Sequence, residues 1–277
     1  MSKAARELYP LAGKRQGREK SIVEIGKVQV GTGKPVIIAG PCAVESREQL
    51  LVTARAVKAA GGQILRGGAY KPRTSPYSFQ GLGKEGLELL SEVKEATGLL
   101  VVTEVMDVRE IELIAKHADI LQIGSRNMRN YPLLREIGKS RKPVLLKRGM
   151  NATIKEWLLA AEYILEAGNK QIILCERGVR GFQDYTRNIL DISAVPVIRH
   201  LSHLPIIIDP SHATGRRQLV APLAKAGVIA GADGIMVEVH PEPEEALCDG
   251  EQSLTLADFK DLARGLKLLP AKLEQKI

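Results

Sequence analysis

Eight apolar runs of strand length, segments of helical spacing between them and a unit of roughly 30 residues predict an α/β fold, the (β/α)8 TIM barrel. The runs fall at 36–39, 63–66, 99–104, 120–124, 143–147, 171–176, 205–209 and 234–238. They are apolar throughout and do not alternate, as expected of a parallel sheet covered by helices. An open doubly wound sheet is the alternative architecture, but eight successive units favour closure.

Taken in order, the chain begins with a polar stretch, and 22–33 reads as two short strands around Gly26, placed to cap the bottom of the barrel. Residues 1–33 are therefore assigned to an N-terminal extension and 34–277 to the catalytic barrel. Gly31-Thr32-Gly33-Lys34 looks like a fragment of a phosphate-binding loop, but it lacks the full spacing and runs into Pro35 and a strand, not a helix. Ser46 with Gln49, Asp107 with Glu110 and Thr255 with Asp258 are capping boxes or close variants that start helices. Gly61-Gly62, Gly98 and Gly168 are placed to stop them. Along the first helix Leu50, Ala54 and Val57 form one stripe, the face that lies on the sheet.

Composition narrows the class of function. Of 277 residues, 44% are apolar and 26% charged, which excludes a disordered or fibrous chain. No apolar run approaches the ~18 residues of a membrane span, and charges interrupt the first twenty residues, so a soluble, cytoplasmic protein is expected. Cys42, Cys175 and Cys248 are too few and too scattered for a disulfide framework, which suits a reducing compartment. The net charge of +8 fits nucleic acid, a membrane surface or phosphorylated small molecules. With aromatics at only 4%, the stacking platforms of nucleic-acid binders are missing, which leaves a basic binding module as the non-enzyme alternative.

In this fold the active-site face is built from the C-terminal ends of the strands and the loops after them. Those positions carry Gly40-Pro41-Cys42; Arg66, Lys71, Arg73 and Thr74; Glu104; Arg126; Lys147 and Arg148; Arg177 and Arg180; Asp209 and His212; Glu238 and His240; and Asp249 beyond. Arginine and lysine from several strand ends, concentrated in one mouth, predict a small polyanionic ligand, because guanidinium forks match phosphate and carboxylate oxygens. Cys42, His212, Glu238 and Asp249 follow the first, seventh and eighth strands, which adjoin when a barrel closes. One thiolate, one imidazole and two carboxylates suit a single divalent ion such as Mn, Fe, Co or Zn. Each of the four also has an ordinary structural reading, and no CxxC or HExxH spacing decides between them. Cys248 is read as an exposed thiol without a role, able to oxidise with Cys42 in metal-free protein.

The segments IAGPCAVES, LRGGAYKPRTSPYSFQGLG, TEVMD, IGSRNMRN, LLKRGM, CERG, TRNILDISAVP, IDPSHATG and IMVEVHPEPEEALCDGEQSL, spread over 31–254, closely resemble 3-deoxy-D-arabino-heptulosonate 7-phosphate (DAHP) synthase, in the beta subclass of the type I enzymes. That resemblance implies a metal-dependent condensation of phosphoenolpyruvate with erythrose 4-phosphate, the first step of the shikimate pathway. By motif position it implies Cys42, His212, Glu238 and Asp249 as metal ligands, with Cys42 and His212 thereby catalytic. It implies Arg66, Lys71, Arg126, Lys147 and Arg177 as the phosphoenolpyruvate set, Arg73 with Thr74 as the aldose phosphate clamp, and Lys71 and Glu104 as catalytic groups near the reacting carbon. The sister enzyme that makes 3-deoxy-D-manno-octulosonate 8-phosphate from arabinose 5-phosphate is the rival, distinguished by the Lys71-Pro72-Arg73-Thr74 loop, where that family carries an Ala-Asn type insertion. Relatives form dimers or tetramers, so a homo-oligomer is expected. Only about thirty residues precede the barrel, so little effect of phenylalanine or tyrosine on the rate is expected.

Overall fold

The computed structural model describes residues 8–15, 17 and 20–269; the predicted extension and barrel reach beyond these at both ends, and those parts lie outside the described residues. Runs of Ile, Val and Leu make eight short parallel strands: β3 (Val36–Gly40), β4 (Ile64–Arg66), β5 (Leu100–Glu104), β6 (Ile120–Ile123), β7 (Val144–Lys147), β8 (Ile172–Glu176), β9 (Ile206–Ile208) and β10 (Gly234–Glu238). They close in chain order, with β10 pairing β3 in register from Gly234↔Val36 to Glu238↔Gly40. Closure removes both sheet edges, which decides against the open sheet. Ahead of the barrel, β1 (Val23–Ile25) and β2 (Val28–Val30) form a separate antiparallel hairpin.

The helices after successive strands are α1 (Arg47–Ala60), α2 (Lys84–Thr97), α3 (Ile111–His117), α4 (Tyr131–Ile137), α5 (Ile154–Glu166), α6 (Ala194–Leu201), the one-turn α7 (Pro210–Thr214), α8 (Arg217–Ile229) and α9 (Leu256–Lys267). Their ends are set by local chemistry. Ser46 Oγ accepts from Gln49 N at 3.1 Å, and α1 stops at Gly61 in the left-handed region at φ 98. The Gln49 side chain accepts from Glu45 N and does not return to Ser46, so this box is half made. Asp107 caps a single 3₁₀ turn through Arg109 N. Thr255 with Asp258 closes a full capping box on α9, and Thr153 with Glu156 makes a second on α5 that the sequence reading passed over.

Because side chains alternate along a strand, each barrel strand sends one set of residues outward and one inward. Outward residues such as Ile37, Leu65, Val101, Leu121, Leu146, Leu174, Ile208 and Val237 pack with the helices in the main core. Ile38, Ile64, Val102, Ile120, Leu145, Ile173, Ile207 and Met236 fill the lower interior together with Val23, Ile25 and Val30 of the hairpin. The hairpin is thus the floor of the barrel. One step further along the strands the inward positions become Arg66, Glu104, Gln122, Lys147, Asp209 and Glu238. The interior is oily at the hairpin end and charged at the other.

If the hairpin is a floor, its buried face should behave as core. Ile25→Ala, at 3% exposure, is expected to cost about 2–5 kcal/mol, whereas Glu24→Ala on the exposed face should stay within about 0.5 kcal/mol. Denaturant midpoints of the two variants measure the contrast.

Candidate active site and metal centre

The charged end opens into a cavity of about 300 Å³, walled by Lys71, Arg73, Thr74, Glu104, Arg126, Lys147, Arg177, Arg187, His212, Cys248 and Asp249, among others. Beneath it lie Cys42, Arg66 and Glu238, buried at 2%, 5% and 0% exposure. The structure therefore brings together every residue that the sequence assigned to metal, substrate or catalysis.

Local backbone chemistry explains much of this convergence. A Cβ on Gly40 would sit 2.1 Å from the Arg66 carbonyl oxygen, and its φ of 151 belongs to glycine, so β3 can turn sharply and carry Cys42 over the end of the barrel. On the opposite side, a Cβ at position 124 would lie 2.0 Å from Glu104 Oε1. The bare Gly124 is the space that the Glu104 carboxylate occupies. Asp249 has φ 55, alone among the described non-glycine residues in the left-handed region, and this turn aims its carboxylate inward.

One ligand atom each from Cys42, His212, Glu238 and Asp249 lies within 4.8 Å of all the others. Asp249 Oδ2 is 3.2 Å from Cys42 Sγ, and His212 Nε2 is 3.3 Å from Glu238 Oε1. Four donors of mixed softness, drawn together from three separate parts of the chain, fit one divalent ion. Burial is the largest influence on the His212 pKa and lowers it from the usual imidazole value, against the opposing pull of Asp209 and Glu238. Burial alone would raise the Glu238 and Asp249 carboxyls, but neighbouring charge outweighs it, chiefly His212 and Arg66 at Glu238 and His212 and Arg187 at Asp249, so both are held low. The Cys42 thiol is pushed up by its hydrogen bond to Cys248 and by burial.

Cations surround this cluster. Arg66 Nη1 bonds Glu238 Oε1 at 2.8 Å and Lys147 Nζ bonds Asp209 Oδ2 at 2.5 Å, both pairs buried. Lys71 Nζ donates to Cys42 O at 3.2 Å and reaches its Sγ at 3.0 Å. Burial works against the Lys71 charge, yet the facing sulfurs of Cys42 and Cys248 outweigh it and the ammonium is retained. Arg126 and Arg177 line the wall, and Arg73 Nη1 points at Cys248 Sγ at 2.7 Å. Such a mouth is built for an anion with several negative oxygens.

Some positions differ from the expectation. Arg148 does not enter the cavity: strand alternation turns it outward from Lys147, where its Nη1 bonds Glu176 at 2.9 Å and Asp191 at 2.8 Å and its guanidinium lies over Trp157. His240 pairs with Glu45 at 3.3 Å, away from the wall, and Arg180 does not line the cavity either. Cys248 is not exposed; at 5% exposure its Sγ lies 3.3 Å from Cys42 Sγ, with both thiols free. Arg187 and Gln252 were missed. Arg187 Nη1 reaches Asp249 Oδ1 at 3.3 Å and Gln252 Oε1 at 3.2 Å, and Gln252 donates in turn to Glu238 Oε2. Arg187 sits in a loop after a barrel strand, the rule that found its neighbours, whereas nothing in the spacing marks Gln252.

Similarity to known proteins runs along nearly the whole chain. A phospho-2-dehydro-3-deoxyheptonate aldolase of Thermotoga maritima is 54% identical over 269 residues, spanning 97% of this chain and 80% of that one. The crystal structure of DAHP synthase from the same organism superposes with a TM-score of 0.88 at 54% identity, covering 95% of this chain and 74% of that one, and a truncated form does so with 0.88 at 50% identity, covering 94% and 95%. A 2-dehydro-3-deoxyphosphooctonate aldolase of Geobacter sulfurreducens is more distant, 32% identical over 268 residues, with 90% of this chain and 97% of that one covered. Residues 14–274 match the family model described as the DAHP synthetase I family, and with the barrel and its charged mouth in place, the chain belongs to that family.

Proposed function

We propose that this protein condenses phosphoenolpyruvate with D-erythrose 4-phosphate and water to give DAHP and inorganic phosphate. The observation that carries the reading is the meeting, in one cavity, of a four-residue metal cluster with cations enough for two phosphates and a carboxylate. Lys71, Arg126, Lys147 and Arg177 on the cavity wall, with Arg66 beneath it, hold phosphoenolpyruvate; Arg73 and Thr74 hold the phosphate of the aldose. Residues 34–277 act as the catalytic barrel and 1–33 as its extension, in a cytoplasmic homo-oligomer.

Cys42, His212, Glu238 and Asp249 hold the divalent ion, one of Mn, Fe, Co or Zn. When bound, it supplies Lewis acidity that polarises the aldehyde oxygen. The protein's own groups do the remainder. The cations seat two mutually repelling anions side by side, which supplies proximity and offsets their charge. As C3 of phosphoenolpyruvate bonds to the aldehyde carbon, Lys71, held protonated beside Cys42, gives its proton to the new alkoxide. Water adds at C2, oriented by Glu104, whose own carboxylate is steadied by Gln122 at 3.4 Å. Phosphate then leaves by cleavage of its C–O bond as the new C2 hydroxyl becomes the ketone; of the two protons the water brings, one replaces that given up by Lys71 and the other goes to the departing phosphate.

Phosphate release with erythrose 4-phosphate, lost on chelation and regained on metal addition, is the expected result; release with arabinose 5-phosphate only would transfer the assignment to the sister reaction. Arg66→Ala removes a buried contact to the reacting anion and should lower kcat/KM by about 10²–10³-fold. For Arg73→Ala the loss should concentrate in KM for the aldose phosphate, roughly 10- to 100-fold for one charged hydrogen bond of about 1.5–3 kcal/mol, with KM for phosphoenolpyruvate unchanged. Metal-free protein exposed to air should form a Cys42–Cys248 disulfide, since the sulfurs lie 3.3 Å apart. Intact-mass analysis that finds both thiols unchanged would contradict this.

A further inference from the structure

Asp209, the residue just past β9, is fully buried and takes no part in the steps above. It nevertheless touches both halves of the site. Its Oδ1 accepts from His212 N at 3.0 Å, as the cap of the one-turn α7. Its Oδ2 is shared, lying 2.8 Å from His212 Nδ1 and 2.5 Å from Lys147 Nζ. The Asp209 amide is tied in turn to the Glu176 carbonyl at 2.7 Å, so the carboxylate is anchored from the strand below.

This geometry sets the chemistry of both neighbours. With Nδ1 donating to a carboxylate, the lone pair of His212 resides on Nε2, the nitrogen that faces Glu238 and the metal cluster. A carboxylate behind a ligating imidazole fixes its tautomer and orientation and raises its basicity toward the ion. The same oxygen partly neutralises Lys147, one of the cations assigned to phosphoenolpyruvate. A single anionic oxygen therefore strengthens one subsite and restrains the other.

We propose that Asp209 is a positioning residue shared by the two subsites, favouring metal binding through His212 while tempering the anion affinity of Lys147. The inference rests on the metal and substrate reading above. It implies that the two ligands depend on Asp209 with opposite sign, which general loosening of the fold would not produce.

The test uses the purified full-length protein without turnover: Co²⁺ or Zn²⁺ affinity by competition with a chromophoric chelator, and phosphoenolpyruvate affinity of the metal-free protein by calorimetry. Asp209→Asn keeps the shape and removes the charge. Metal affinity should fall about 10- to 100-fold, while phosphoenolpyruvate affinity rises severalfold because Lys147 loses its counter-charge. Lys147→Met, measured in parallel, should bind metal more tightly than wild type because Asp209 then serves His212 alone, and it carries the test if Asp209→Asn does not fold. Unchanged metal affinity in Asp209→Asn, a joint fall of both affinities, or a Lys147→Met protein with wild-type or weaker metal binding overturns the inference. A wild-type protein that binds no divalent metal sinks the metal reading itself.

Discussion

The ion pair between Arg66 and Glu238 is the constraint around which the upper barrel is organised. Both groups are buried, 2.8 Å apart, and neither can be withdrawn alone, because an unpartnered charge inside a protein costs about 3–5 kcal/mol. Glu238 is in addition within 3.3 Å of His212 and is held from its other oxygen by Gln252. The cation proposed to meet the substrate and the anion proposed to meet the metal are therefore one unit. Lys147 and Asp209 repeat the arrangement on the neighbouring arc, again with His212 as the shared neighbour. Apolar residues of similar volume often stabilise a fold as well or better, so the buried charges are accounted for by the binding roles proposed above.

A barrel reconciles such an interior with a stable domain by dividing it along its axis. The hairpin floor and the lower inward layer are wholly apolar, and the outward residues pack with helices, so stability is concentrated there. At the other end the same strands, one alternation later, carry Arg66, Glu104, Lys147 and Glu238. Rigid backbone hydrogen bonding around the closed ring then fixes where these groups stand, which preorganises the cavity before any ligand enters. The loops supply what must reach over the rim, as Lys71, Arg73 and Asp249 do.

How much of this was legible in the sequence follows from the same division. Strand runs and their number could be read because they depend on local pattern; a topology that places strand ends side by side made Cys42, His212, Glu238 and Asp249 a candidate cluster, and the family resemblance singled it out. Lys147 against Arg148 shows the limit of reading by proximity to a strand end. Counting alternation inward from Leu145 sends Lys147 to the cavity and Arg148 outward to Glu176, a step the list of strand-end residues did not take. The nearness of Cys248 to Cys42 was anticipated, but its burial and the part played by Gln252 were illegible for another reason. Both residues lie in an irregular loop whose path depends on the left-handed turn at Asp249, and no periodicity reports on such a turn. Half-made caps such as Ser46 with Gln49 belong here too, since a side chain of that length has several acceptable partners.

The pairing of Arg148 with Glu176 and Asp191 extends the argument beyond the cavity. Arg148 and Glu176 stand one place outward of Lys147 and Arg177, on strands that are hydrogen-bonded with Lys147 opposite Cys175. Locking the outward partners together fixes the register of β7 and β8 where each must present a cation to the interior. Asp191, from the segment ahead of α6, closes the cluster and ties that segment to the barrel wall. Buried charge outside the site thus serves the same end as buried charge within it: it selects one arrangement of the strand ends. Hydrophobic packing, which tolerates many arrangements of similar volume, would not select it alone.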